Sequence, residues 1–424
     1  MQADLIIYNA GQLVTCASQH APKRGAAMRE VGKIADGAVA IKNGQILAVG
    51  ASPEILGQYD STDKYDAGGR VVCPGFVDAH THAVYAGERV DEFDMRIAGK
   101  TYLEIMQAGG GINSTMRKTR AASPEQLYKE SLARLQTMLM LGTTTAEVKT
   151  GYGLDTDSEL KMLRVIEELD RTQPIELIPT FLGAHSIPPE FAGRANEYIE
   201  LVIAQMLPAV ANWYAQSSFK AHGKPCFVDI FCEQGAFSAE QTRQLLEASA
   251  KLGFKLKAHV DEFVPLGGTS IAIELGATSI DHLDFTHANE IAKLANSETV
   301  AVVIPAVNFN LGSNHFANAH EIINQGAALA LATDINPGSA PCPSIPLVMA
   351  IACRYQRLLP SEALNAVTIN AAYASGMGER IGSIEVGKQA DLLVLDVSDY
   401  RHLAYQFGVN LVKHIFKKGK RLNG

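Results

Sequence analysis

The chain has 424 residues, with 47% hydrophobic and 19% charged, which excludes disorder as the dominant state. Lys plus Arg number 37 against 45 Asp plus Glu, and the net charge of -8 excludes the basic footprint of a non-specific nucleic-acid binder. No apolar run reaches the ~18 residues of a membrane helix, and Met1-Gln2-Ala3-Asp4 lacks the positive start of a secretory signal. Six cysteines without a CxxC pair do not form a disulfide framework, so a cytoplasmic, soluble α/β protein without a membrane partner is expected.

In chain order, residues 4–15 alternate apolar and polar as a strand does. Residues 37–50 are two short apolar runs around Asn43-Gly44, a pair that tolerates the positive φ angles of a type I′ hairpin turn. From 71 onward, near-continuous apolar runs alternate with helix-like segments, as expected of parallel strands buried on both faces. The expected strands are 71–78, 144–149, 175–184, 226–232, 254–259, 278–282, 300–304 and 328–333. Ser123-Pro-Glu-Gln126 and Ser238-Ala-Glu-Gln241 have the spacing of capping boxes at helix starts. Gly109-Gly110-Gly111 follows a short helical stretch and fits a flexible active-site loop. The dinucleotide and phosphate-loop patterns of many open sheets, GxGxxG and GxxxxGK[ST], are missing.

Near the C-terminus, residues 391–397 and 412–417 return to short strands. Eight strands with intervening helices predict a (β/α)8 TIM barrel over residues 71–376. Residues 1–70 and 377–424 are expected to join into a small β-sandwich built from both chain ends, since an isolated hairpin is marginal in water.

Barrel enzymes carry their chemistry at the C-terminal ends of the strands. The first strand runs into His80-Thr-His82, whose side chains, two apart, share one face. The fifth ends at His259 with Glu262 three residues on, the sixth at Asp281-His282, and the eighth is followed by Asp334. Singly, these could be a core histidine, a solvated glutamate and a turn-forming aspartate. Four strand ends sharing such residues point instead to one centre. Three histidines and Asp334 suit zinc or another first-row metal and leave room for a water, whose pKa such an ion lowers towards ~7. Glu262 or Asp334 can carry the proton, and His282 can hydrogen-bond the oxygen where negative charge develops, which gives the expected catalytic set of Glu262, His282 and Asp334.

The segments PGFVDAHTHAVYAGER, EVKTGYGL, TFLGAHSIPPE, KAHVDEF and ATDINPGS resemble the imidazolonepropionase family of the amidohydrolase superfamily, over nearly the whole chain. The resemblance implies hydrolytic ring opening of 4-imidazolone-5-propanoate to N-formimidoyl-L-glutamate in histidine degradation, with one zinc or iron ion per chain and a homodimer. It puts the metal on His80, His82, His259 and Asp334. It implies substrate contacts from Arg89, Tyr152, His185, Glu262, Asn336, Gly338 and Ser339. Arg89 offers a planar fork for the substrate carboxylate, unless it is a surface residue paired with Glu88 or Asp91. Two other enzymatic readings stay open: a deaminase of purine or pyrimidine rings on the same ligands, and a binuclear cyclic-amide hydrolase of dihydroorotase type with Lys149 as a carboxylated bridge. A structural protein that had lost its ligands is the non-enzymatic alternative, and it sits poorly with a complete ligand set.

Overall fold

The protein is described from a computed structural model covering residues 1–100, 104 and 109–422. The N-terminal strands are β1 (Leu5–Val14), β2 (Lys33–Lys42), β3 (Gln45–Ala51), β4 (Lys64–Asp66) and β5 (Val71–Pro74). β2 and β3 pair antiparallel with Lys42 opposite Gln45. Asn43 (φ 51°) and Gly44 (φ 75°) between them both occupy the left-handed region that a type I′ turn demands.

The barrel consists of β6 (Phe76–Asp78), β7 (Thr143–Lys149), β8 (Glu176–Ala184), β9 (Phe227–Cys232), β10 (Lys255–Val260), β11 (Ser279–His282), β12 (Val300–Val303) and β13 (Leu329–Leu331). Each strand pairs parallel with the next in chain order. β13 closes onto β6 just beyond the strand ends, where Asp334 N–H donates to the His80 carbonyl and His82 N–H to the Ile335 carbonyl, each at 3.0 Å. Almost every barrel-strand residue is buried, because helices cover the outside and side chains fill the inside. Helix Thr156–Thr172, for example, turns Met162, Leu163, Val165, Ile166 and Leu169 inward at helical spacing.

The last strands, β14 (Leu392–Leu395), β15 (Val412–Lys417) and β16 (Lys420–Leu422), join the N-terminal ones in the order β16-β15-β14-β5-β1-β2-β3, with β4 branching from β1. Both chain ends therefore build one mixed sheet around a core that includes Leu5, Leu13, Val39, Val72, Leu392 and Phe416. Tyr65 of β4 packs edge-on against Phe416 of β15 at 5.3 Å, bringing the two sides of the sheet together.

Two expectations are corrected. The apolar run 71–78 is two strands in two sheets: Pro74 pairs with Leu392, whereas Phe76 N–H donates to the Gly142 carbonyl. Gly75 makes the switch, and a Cβ there would stand 2.2 Å from Thr144 Oγ1. Of the two expected capping boxes, only Ser238–Gln241 is reciprocal. Ser123 accepts from Gln126 N–H, but the Gln126 amide turns to Glu130. Much of the helical stretch expected before Gly109 lies outside the described residues; Gly111 N–H donates to the Glu92 carboxylate at the edge of the barrel mouth. Among the described residues no helix is long and apolar enough to cross a membrane.

Candidate active site

The strand ends bring His80, His82, His259, His282 and Asp334 together at one end of the barrel. His80, His82 and His259 each offer a nitrogen within 4.8 Å of the others', and His80, His282 and Asp334 do the same. Nε2 of His80 and Nε2 of His82 each lie 3.4 Å from Asp334 Oδ1. The backbone is strained here: Asp261 (φ 54°), His282 (φ 83°), Leu283 (φ 66°) and Asp334 (φ 50°) take left-handed conformations disfavoured for residues with a Cβ.

Two carboxylates that the sequence reading did not assign fix the imidazole tautomers. Asp281 Oδ2 lies 2.6 Å from His80 Nδ1, and Asp229 Oδ1 lies 3.1 Å from His259 Nδ1. An ionised carboxylate only accepts, so both Nδ1 atoms carry the hydrogen and both Nε2 atoms keep a lone pair. Those Nε2 atoms and Asp334 Oδ1 are buried without a hydrogen-bond partner among the described residues. Burial, with nearby positive charge, pushes the His80 and His82 imidazoles well below their usual pKa, so they are neutral and available as ligands. Buried lone pairs converging on one point fit a cation and little else. The missed carboxylates had a signal: Asp229 interrupts the apolar run Phe227–Cys232, and charged residues are almost never fully buried unless paired.

A cavity of about 710 Å³ opens from this centre. Tyr152, His185, Glu262, Arg89, Asn336, Gly338 and Ser339 line it together with His82, His259, His282 and Asp334. Arg89 pairs with Glu92 through Nε at 2.8 Å and Nη2 at 2.7 Å, rather than with Glu88 or Asp91. Its guanidinium lies against Gly338, where a Cβ would stand 2.2 Å from Nη1.

The Asn336 amide donates to the Asp334 carbonyl, Asp334 Oδ2 and Ser339 Oγ, and its oxygen accepts from Gly338 and Ser339 N–H. It braces the loop and the aspartate. His185 stacks on His82 at 4.8 Å, and its Nδ1 donates to the Gly151 carbonyl at 3.0 Å. Burial and His259 push its pKa down to about 3, so His185 stays neutral and its Nε2 can only accept. Burial keeps the Tyr152 hydroxyl protonated, far above the ordinary tyrosine range. Glu262 lies 3.9 Å from His282 Nε2; burial, then the carboxylates of Asp334, Asp284 and Glu233, raise its pKa well above the usual value.

A closed parallel barrel with histidines and an aspartate converging at its strand ends is the architecture of a metal-dependent hydrolase. The amidohydrolase family model matches residues 71–422. Imidazolonepropionase of Chloroflexus aggregans is 57% identical over 417 residues, covering 98% of both chains. Imidazolonepropionase of Herpetosiphon aurantiacus is 50% identical over 418 residues, covering 99% of this chain and 97% of the relative. The chain belongs to the amidohydrolase family and, within it, to the imidazolonepropionases. Among solved structures, an adenosine deaminase from Xanthomonas campestris with bound zinc superposes with a TM-score of 0.70 at 20% identity, covering 99% of this chain and 93% of that one. An atrazine chlorohydrolase from Arthrobacter aurescens TC1, complexed with zinc, gives a TM-score of 0.69 at 14% identity, covering 99% and 95%. At such identities the likeness is one of fold.

Proposed function

We propose that the chain hydrolyses 4-imidazolone-5-propanoate to N-formimidoyl-L-glutamate in histidine degradation. One zinc or iron ion per chain would be held by His80, His82, His259 and Asp334. The observation that carries the reading is the set of orphaned lone pairs on His80, His259 and Asp334 beside a cavity that the Arg89 guanidinium also lines. Identity of 57% to an imidazolonepropionase supports the same substrate.

When bound, the ion supplies Lewis acidity that lowers the pKa of water and polarises a carbonyl. The chain's own groups do the rest. Arg89, already oriented by Glu92, takes the substrate's propionate, which sets the ring carbonyl over the histidines. His185 accepts from a ring N–H, because its own N–H is committed to the Gly151 carbonyl. Tyr152 donates through its hydroxyl. Glu262 orients the attacking water, Asp334 accepts its proton, and His282 donates a hydrogen bond to the carbonyl oxygen as charge develops there. The C–N bond breaks and the leaving nitrogen takes up the proton that Asp334 accepted. Gly338 gives the Arg89 guanidinium room, and Asn336 and Ser339 shape the loop beside it.

A carboxylated Lys149 requires a neutral amine. Burial alone would lower its pKa, but Asp229, Glu147 and Asp281 raise it well above the usual lysine value, which weighs against the binuclear reading. We further propose a cytoplasmic homodimer acting on a small anionic heterocycle, divided at residues 376/377 and, because β5 belongs to the small sheet, at Gly75 rather than at 70/71. Incubation with fresh imidazolone propionate should yield a product heavier by one water, without ammonia. Ammonia from guanine or cytosine, with the imidazolone untouched, would replace this reading by a deaminase.

A further inference from the structure

Beneath the converging histidines lies a second layer of charge. Lys149 Nζ, at the end of β7, stands 2.8 Å from Glu147 Oε1, 2.7 Å from Asp229 Oδ2 and 3.5 Å from Asp281 Oδ2. All four side chains are completely buried. Each carboxylate leads on to the metal centre. Asp229 holds His259 through its other oxygen, and Asp281 holds His80. Glu147 Oε2 accepts from the backbone N–H of Thr81, the residue between His80 and His82, at 3.3 Å. Lys149 N–H donates to the Thr81 carbonyl at 2.8 Å.

We propose that Lys149 is a positioning residue of the metal centre: one ammonium on β7 clamps the carboxylates of β9 and β11, which aim His259 and His80, and the glutamate that steadies the His80-Thr-His82 segment. The proposal rests on the ligand set given above.

The physical case is one of donors and charge. Asp229 and Asp281 are both fully buried and both reach the Lys149 ammonium, and an unpaired buried charge is strongly destabilising. Other donors reach them, namely Ser279 Oγ to Asp281 Oδ1 at 2.7 Å and Ile230 N–H to Asp229 Oδ1 at 2.7 Å, but neither supplies positive charge. Lys257, the other buried ammonium nearby, spends a hydrogen bond on the Ala79 carbonyl at 3.0 Å. Lys149 alone among the described residues makes an ion pair with both aspartates. Without it the two carboxylates repel each other and turn away, and the imidazoles they hold turn with them. A merely structural ion pair would affect stability and leave the metal centre unchanged.

The test is Lys149→Met, close in shape but uncharged, in the full chain. Zinc affinity is read by competition with a chelator, and geometry by the absorption spectrum of the cobalt-substituted protein. Loss of such supporting contacts costs about 10- to 100-fold in metal affinity, and that fall is expected, with an altered cobalt spectrum and activity recovered in excess zinc. A folded variant with unchanged affinity and spectrum overturns the proposal. If the variant is insoluble in ordinary medium, zinc supplementation during expression should restore soluble protein, and insolubility at every zinc level overturns it equally. Wild-type protein that binds no metal, or His259→Ala binding it normally, would sink the ligand set itself, a result separable from failure at Lys149.

Discussion

Gly338→Ala isolates the carboxylate-binding end of the cavity from the chemistry. Gly338 has no positive φ, so the backbone tolerates a Cβ. That Cβ would stand 2.2 Å from Arg89 Nη1, 2.5 Å from Cζ and 3.0 Å from Nη2. Restoring ordinary contact needs the guanidinium to shift by about 1 Å, and a misplacement of that size is costly in a positioned site. Glu92 grips Nε and Nη2 from one side, so the shift is made at the expense of that pair. A hydrogen bond to a charged group contributes about 1.5–3 kcal/mol, equivalent to roughly 10- to 150-fold in affinity. Steady-state kinetics should therefore show KM for imidazolone propionate raised within that range, with kcat changed only a few-fold and the melting temperature nearly constant. Arg89→Ala should raise KM in the same direction. An unchanged KM in Gly338→Ala would refute the placement of the propionate against Arg89.

Glu262 yields a stability prediction with a definite sign. Its carboxyl pKa is raised in the folded state, so the metal-free protein loses stability as pH rises from the ordinary carboxylate pKa of about 4.3 upward. Glu262→Gln should melt higher than wild type at about pH 8, with the gain shrinking towards about pH 4, and should lose most activity. A metal-free variant that melts lower at every pH contradicts this. Gly75→Ala forces a Cβ onto Thr144 where the chain changes sheets, and should cost about 1–3 kcal/mol in denaturant unfolding without altering KM. Ser238→Ala removes a complete capping box and should cost about 1 kcal/mol, whereas Ser123→Ala, with half a box, should cost less in the same assay.

Barrel strands were legible because burial on both faces leaves uninterrupted apolar runs, and the expected 226–232 and 278–282 differ from the observed strands by one residue. The same feature hid the break at Gly75, since strands of either sheet read alike there and nothing local marks the change of partner. β16 escaped because Lys420-Arg-Leu422 is short and charged, held by pairing with β15 rather than by its own propensity. At the site, residue types near strand ends already pointed to His80, His82, His259, His282 and Asp334, which the fold brings close to one another. Tautomers were not legible, because they depend on Asp229 and Asp281 reaching across from other strands. Arg89 shows the same limit: Glu92, one helical turn on, is its partner, while the adjacent Glu88 and nearby Asp91 make no such pair.

Metal content per chain tests most directly whether a single ion is shared by four side chains from three strand ends. Elemental analysis of the purified protein, and of His80→Ala, His82→Ala, His259→Ala and Asp334→Ala, should give one equivalent of zinc or iron for the wild type. Each variant should hold well under one equivalent and lose ring opening in proportion. Two equivalents in the wild type, or any of the four variants keeping a full equivalent together with activity, would contradict it.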